Sequence, residues 1–273
     1  MTRNVTKLVL PVAGLGKRLL PLTKHVPKNL IPVCGRPLLE YVLHEAVQSG
    51  IRDVILIVNP AHRKKFEEYL RLNRKRFPSL RFHVREQATP GGNGHAIAQA
   101  HDLLGNDPFA VRFCDDVIID KRPVLGSLIE IFKAKRAPVL LLERVPKKLV
   151  SRFGVVGITG VKGKRPLVKS AIGGRVYQIT KIVEKPPAKD APSNLTIVGG
   201  YVLTPAILRN LKRVADTLPL IADDALPLAV ALQIELILRG RVFGWEFTGM
   251  RLDCGTLEKL KKAEAYLGKS HTK

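Results

Sequence analysis

Short apolar runs alternate with amphipathic stretches through the first half of the chain, and few folds accommodate that alternation. Residues 5–12, 53–58, 80–84, 109–113 and 137–142 read as strands, mostly apolar and often β-branched. Residues 37–50, 61–74, 94–104 and 122–135 read as the helices between them. In the first of these Leu38, Val42, Ala46 and Val47 form one face, and Gly50 is the stop. Such a pattern builds right-handed βαβ units and a sheet covered on both faces. From about residue 153 the chain turns β-rich: 153–158, 176–183 and 196–203 read as strands punctuated by Gly and Pro. Helical patterns return at 205–214 and 223–238, followed by a strand near 242–247 and a last helix from Leu257. The expected architecture is α/β, a Rossmann-like, mostly parallel mixed sheet flanked by helices, with a β-rich lobe. No repeat or low-complexity linker divides the chain, so 1–273 is read as a single domain with halves at about 1–145 and 146–273.

Composition removes several alternatives. Hydrophobic residues make up 45% of the 273 positions and are evenly spread, which argues against disorder. Aromatics are only 5%, so the core must rest on Leu, Val and Ile. No run approaches the roughly 18 apolar residues of a membrane span. Arg3 and Lys7 before the run 8–15 mimic a secretory leader. Lys17 and Arg18 follow at once without an A-x-A-like cleavage site, and the run is read as a buried strand. Cys34, Cys114 and Cys254 lack pair spacing, which argues against a disulfide framework or a zinc site and makes a reducing cytoplasm the simplest compartment. The formal net charge of +23 favours polyanionic partners. The basic clusters at 63–65, 71–76 and 259–262 are read first as solvated helix faces; non-specific nucleic-acid contact is the sharper alternative, not the favoured one.

Ligands on sheets of this kind bind beyond the carboxyl ends of the strands. After the first strand comes Gly14-Leu15-Gly16-Lys17-Arg18-Leu19-Leu20-Pro21. Glycines there let backbone N–H groups approach a phosphate, and Arg18 offers a bidentate donor. By itself the motif is as compatible with an ordinary turn. It is neither a Walker A loop, lacking Gly-Lys-Ser/Thr, nor a dinucleotide fingerprint, lacking the third glycine. The continuation Pro21-Leu22-Thr23-Lys24, then Pro27-Lys28-Asn29-Leu30-Ile31-Pro32-Val33, makes a stiff loop that could hold Lys24 and Lys28 near Arg18.

This stretch resembles the sugar-1-phosphate nucleotidyltransferases, and within them the bacterial branch that uses UTP and glucose 1-phosphate. Further segments agree in order: Gln87, 90–96, 116–118, 153–156, Glu184-Lys185-Pro186, 192–195, 199–203 and Asp253-Cys254-Gly255. The resemblance covers residues 5 to about 268. It implies attack by a sugar-phosphate oxygen on the α-phosphorus of the triphosphate, with pyrophosphate leaving in line. The protein's work would then be positioning and charge neutralisation.

It also implies site residues. Asp116 and Asp253 would be Mg²⁺ ligands. Arg18, Lys28 and Lys185 would be the catalytic cations. Ala13, Gly14, Gly16, Lys17, Gln87, Gly92 and Asp115 would face the nucleotide, Gln87 and the Gly92 backbone meeting the pyrimidine edge. Asp115 is expected to hydrogen-bond its loop rather than ligate metal, and His95 to pack at a helix start. Gly154, Glu184, Lys185 and Gly199 would hold the sugar phosphate. A homo-oligomer and no membrane partner are implied as well.

Three departures stand out: Lys17 replaces a threonine, Asn29 replaces a glutamate, and the 218–225 loop differs. The segment from Ile57 to Gln87 is short, nearer to the thymidylyltransferase branch. Two rivals stay open, an enzyme using dTTP or another sugar phosphate, and a silent nucleotide- or nucleic-acid-binding paralogue.

Overall fold

The apolar run near the N-terminus becomes β1 (Lys7–Pro11), the strand on which the sheet is assembled. The computed structural model describes residues 4–159, 168–169, 173–217 and 226–270. After β1 come single-turn 3₁₀ segments at 17–19, 22–24 and 28–30, the small hairpin of β2 (Pro32–Val33) and β3 (Arg36–Pro37), and helix α1 (Leu38–Gln48). The alternation continues with β4 (Asp53–Val58), α2 (Arg63–Asn73), β5 (Arg81–Glu86), α3 (Gly92–Ala98), α4 (His101–Leu104), β6 (Phe109–Arg112), β7 (Asp116–Ile119), α5 (Val124–Lys135) and β8 (Val139–Arg144). The second half holds β9 (Gly154–Ile158), β10 (Val168–Lys169), β11 (Arg175–Glu184), β12 (Leu195–Leu203), α6 (Pro205–Thr217), α7 (Leu228–Arg239), β13 (Val242–Glu246), β14 (Met250–Asp253) and α8 (Leu257–Ser270).

The main sheet runs β10-β11-β13-β8-β12-β6-β1-β4-β5, with β9 beside β11 and β12. Its Rossmann-like part is β6-β1-β4-β5, all parallel. β12 enters antiparallel between β6 and β8, and β13 runs parallel to β8. The sheet is therefore mixed. Successive side chains of β1 serve both faces, as strand geometry requires. Leu8 and Leu10 join the core under α1 and α5, while Val9 joins the core under α3, α6 and α7. In α1, Leu38, Leu39, Val42, Leu43 and Ala46 are buried, and Gly50 at φ +75° follows the helix end in the left-handed conformation.

Two expectations are corrected. The helix expected over 94–104 is broken: Gln99 and Ala100 close i→i−3 bonds, tightening the ladder between α3 and α4. The helix expected from 223 runs from Leu228 to Arg239; its expected first residues, and the whole 218–225 loop, lie outside the described residues. The unexpected element is a two-stranded ribbon, β7 against β14, set apart from the main sheet. Among the described residues no helix is long and apolar enough to cross a membrane.

Candidate active site

A cleft of about 570 Å³ opens beyond the carboxyl ends of β1, β4, β5 and β6. Ala13, Gly14, Gly16, Lys17, Gln87, Gly92 and Asp115 all line it, so the structure brings together every residue expected to face a nucleotide. The loop after β1 is tightly constrained. Gly16 has φ +66°, and a Cβ there would stand 2.9 Å from Thr23 Cγ2 and 3.0 Å from Lys28 Cβ. The Thr23 hydroxyl donates to the Gly16 carbonyl at 3.1 Å. Lys28 is turned inward, whereas Lys24 is exposed.

Gln87 is buried at one end of the cleft, just past β5. Its side-chain amide donates to the Gly92 carbonyl at 3.0 Å and lies 3.0 Å from His95 Nδ1. A carbonyl can only accept, which fixes which end of the carboxamide points there. Burial lowers the His95 pKa and favours the neutral ring. The tautomer in which Nδ1 accepts is the one that suits the Gln87 amide nitrogen facing it, which can only donate. Both amide hydrogens of Gln87 are thereby used inside the protein. The sequence suggested that Gln87 could donate and accept toward a base; the structure leaves it the acceptor role alone. His95 packs at a helix start, as expected, and also orients Gln87.

Beside Asp115, on the cleft wall, lies an acidic and paired cluster whose other two carboxylates, Asp116 and Asp253, line separate cavities rather than the cleft itself. In the ribbon, Asp116 and Asp253 are direct cross-strand partners. Asp116 Oδ2 accepts from the Gly199 N–H at 3.0 Å, and Oδ1 from Arg251 Nη1 at 2.9 Å. Burial, with Asp115 adding to it, raises the Asp116 pKa despite Arg251. For Asp253 burial also opposes charge, but Lys259, the Gly255 N–H and Arg251 outweigh it and the pKa is lowered. Asp115 pairs with Lys28, and its carbonyl accepts from the Cys254 N–H at 2.8 Å, tying the two acidic segments together. Arg18 reaches the same place: a Cβ on Gly255 would lie 3.4 Å from Arg18 Nη2, 3.8 Å from Asp115 Oδ2 and 2.9 Å from Asp253 Oδ1. Burial pushes the Cys114 and Cys254 thiols up to about 12, so neither is a nucleophile at neutral pH.

None of the residues expected at the sugar phosphate lines the cleft itself. Gly154 on β9 and Glu184 on β11 are register partners, and a Cβ on Gly154 would stand 3.0 Å from Glu184 Oε2. Lys185 adopts φ +46°, uncommon for a non-glycine, while its N–H donates to the Phe153 carbonyl at 3.0 Å. Gly199 has no room for a side chain, since a Cβ would be 2.5 Å from Phe113 Cβ and 2.8 Å from Asp116 Oδ2. Burial raises the Tyr201 phenol pKa, and Asp116 and Glu184 both add to the rise, so the acidic end and the Glu184 side share this neighbour.

Sequence reasoning missed four charged residues here. Arg251 and Lys259 pair with the acidic ribbon. Arg112, only 1% exposed, donates to the carbonyls of Gly199 and Asp116 at 2.8 and 3.1 Å and pairs with Glu45 at 3.1 Å. One signal was available: in a strand, residues i and i+2 share a face, which places Arg251 beside Asp253. A single arginine inside an apolar run gave no comparable sign.

Residues 7–269 match the family model described as Nucleotidyl transferase. A UTP–glucose-1-phosphate uridylyltransferase of Bacillus subtilis (strain 168) is 33% identical over 276 residues, covering 94% of this chain and 88% of its own length. The crystal structure of an apo UDP-glucose pyrophosphorylase gives a TM-score of 0.84 at 29% identity, over 98% of this chain and 99% of that one. A UTP-bound UGPase from Acinetobacter baumannii gives 0.81 at 30% identity, over 98% and 95%. This chain belongs to the nucleotidyl transferase family and is an enzyme related to its bacterial UTP–glucose-1-phosphate uridylyltransferases.

Proposed function

We propose that the protein joins UTP to glucose 1-phosphate, giving UDP-glucose and pyrophosphate. A phosphate oxygen of the sugar attacks the α-phosphorus of UTP, and the bond to the β-phosphate oxygen breaks in line. The observation that carries this reading is the layout around the cleft: a base-side acceptor at Gln87 on its wall and, adjoining the cleft through Asp115, the pair Asp116 and Asp253 beside Arg18 and Lys28. A base N–H facing Gln87 Oε1 suits the imide of uracil and not the bare N3 of cytosine. Ala13, Gly14, Gly16 and Lys17 would cradle the phosphates, with Asp115 holding Lys28 on the nucleotide side. Arg18 and Lys28 would neutralise charge developing on the triphosphate. Glu184 and the backbone at Gly154 would take the sugar hydroxyls, and Lys185 its phosphate; the Gly199 backbone expected to join them is already bonded to Asp116, Arg112 and Phe113. The chain would work as one domain, 1–145 holding nucleotide and 146–273 the sugar phosphate.

A divalent cation, most simply Mg²⁺, fits the acidic ribbon. Among the described residues no cluster of three or more His, Cys, Asp or Glu side chains forms a complete metal cage. Two carboxylates are what Mg²⁺ takes when phosphate oxygens and waters complete its shell. Bound by Asp116 and Asp253, it would polarise the phosphates. A cytoplasmic site of action and a homo-oligomeric state follow the same reading. The test is pyrophosphate release across UTP, dTTP, CTP, ATP and GTP against glucose, galactose, mannose and N-acetylglucosamine 1-phosphates. A maximum at UTP with glucose 1-phosphate is expected. A maximum at dTTP would move the substrate, and no release from folded protein would end the enzymatic reading.

A further inference from the structure

A cation stands inside the acidic ribbon. Arg251 lies two residues before Asp253 on β14, and its side chain is only 11% exposed. Its two ends are held differently. Nε donates to Glu143 Oε2 at 2.7 Å, and the guanidinium lies 5.3 Å from the centre of the Phe153 ring. Nη1 donates to Asp116 Oδ1 at 2.9 Å and stands 3.8 Å from Asp253 Oδ2. One nitrogen therefore lies between two carboxylates that oppose each other across the ribbon. Lys259 serves Asp253, but among the described residues Arg251 is the one ion-pair partner of Asp116. Two like charges in a poorly solvated place repel strongly unless a cation stands between them.

Resting on the metal role given above to Asp116 and Asp253, we propose that Arg251 is the built-in counter-ion of this carboxylate pair, and that it yields its Nη1 end to an incoming divalent cation. Glu143 and Phe153 hold the rest of the side chain, so only the end facing the ribbon is exchanged. Two consequences follow. The pair stays organised without metal, since one guanidinium nitrogen bridges its two carboxylates. Metal alone binds weakly, since it must displace a positive charge. Loading is then coupled to nucleotide, whose phosphates add donors to the metal and offset the freed guanidinium.

The test is Mn²⁺ binding without substrate, read from the electron paramagnetic resonance signal of free Mn²⁺. Wild type, Arg251→Lys and Arg251→Met are compared, and each fold is checked by thermal melting. Lysine keeps the charge but cannot bridge Glu143 and Asp116 together. Affinity should rise from wild type to Arg251→Lys to Arg251→Met, by about tenfold in all, as expected when a neighbouring like charge is removed. Adding Asp116→Asn should erase the gain. If Arg251→Met does not fold, a rise of about threefold in Arg251→Lys carries the test. Equal or weaker binding in the variants would overturn the counter-ion role while leaving the metal site standing. Turnover that persists in excess EDTA would overturn both.

Discussion

On one side of the site, along the cleft, neutral groups bond Gln87 to Gly92 and His95; on the other, which adjoins the cleft at Asp115, the carboxylates of Asp115, Asp116 and Asp253 are each paired with a cation, Lys28, Arg251 and Lys259. The neutral end can be finished before any ligand arrives, because its bonds need not change when a base enters. It selects by which atoms are left free to donate or accept. The charged end cannot be left bare, because unpaired carboxylates in a half-buried pocket would repel. Its groups are stabilised by one another, and substrate binding must exchange those partners. The expected difference is that the neutral end governs which nucleotide is used, and the charged end governs how fast it reacts.

The largest effect should come from the charged end. Asp116→Ala and Asp253→Ala should each lower kcat by at least about 10³-fold, some 4 kcal/mol of barrier, with the far-ultraviolet circular dichroism of the wild type retained. Steady-state kinetics with saturating UTP checks this, and near-normal kcat in either variant would remove that residue from the chemistry. A smaller effect is expected on the sugar side. Lys185→Ala should raise the KM for glucose 1-phosphate by roughly 10- to 100-fold, the order expected for losing a charge-assisted contact to phosphate, with the KM for UTP little changed. An effect confined to UTP would place Lys185 at the nucleotide instead.

The two ends also differed in how readily the sequence disclosed them. Strand β4 matches its expected bounds, 53–58, because a continuous, mostly β-branched apolar run has few other readings. The loop after β1 was legible through its resemblance to the family's Gly-x-Gly-x-Arg stretch, and Ala13, Gly14, Gly16 and Lys17, which that resemblance put at the nucleotide, line the cleft. The acidic ribbon was not legible as structure. β7 and β14 have four residues each, too few for a period to show, and their pairing joins distant segments. The charge pairing was hidden for the same reason: nothing local marks Lys259, on the last helix, as the partner of Asp253. Arg112 was read as part of an apolar strand, yet its buried charge is satisfied by Glu45 and two carbonyls that converge only in the fold. A pattern of residue types reports what each segment needs for itself; it carries little about which segments meet.

The smallest predicted effect probes the comparison most directly, because it changes selectivity without touching charge. His95 Nδ1 and the Gly92 carbonyl together hold the Gln87 amide hydrogens, leaving Oε1 as the atom for the proposed base. His95→Phe keeps a flat ring and removes one of those two acceptors. The carboxamide can then turn over at the cost of the single remaining bond, about 1 kcal/mol, and present a donor. The preference for UTP over CTP, measured as the ratio of kcat/KM values, should fall about fivefold, with kcat on UTP nearly unchanged. A fall in kcat at constant preference would mean that His95 acts on the chemistry and that the two ends are not separate. An unchanged ratio would mean that the Gly92 carbonyl alone holds the amide.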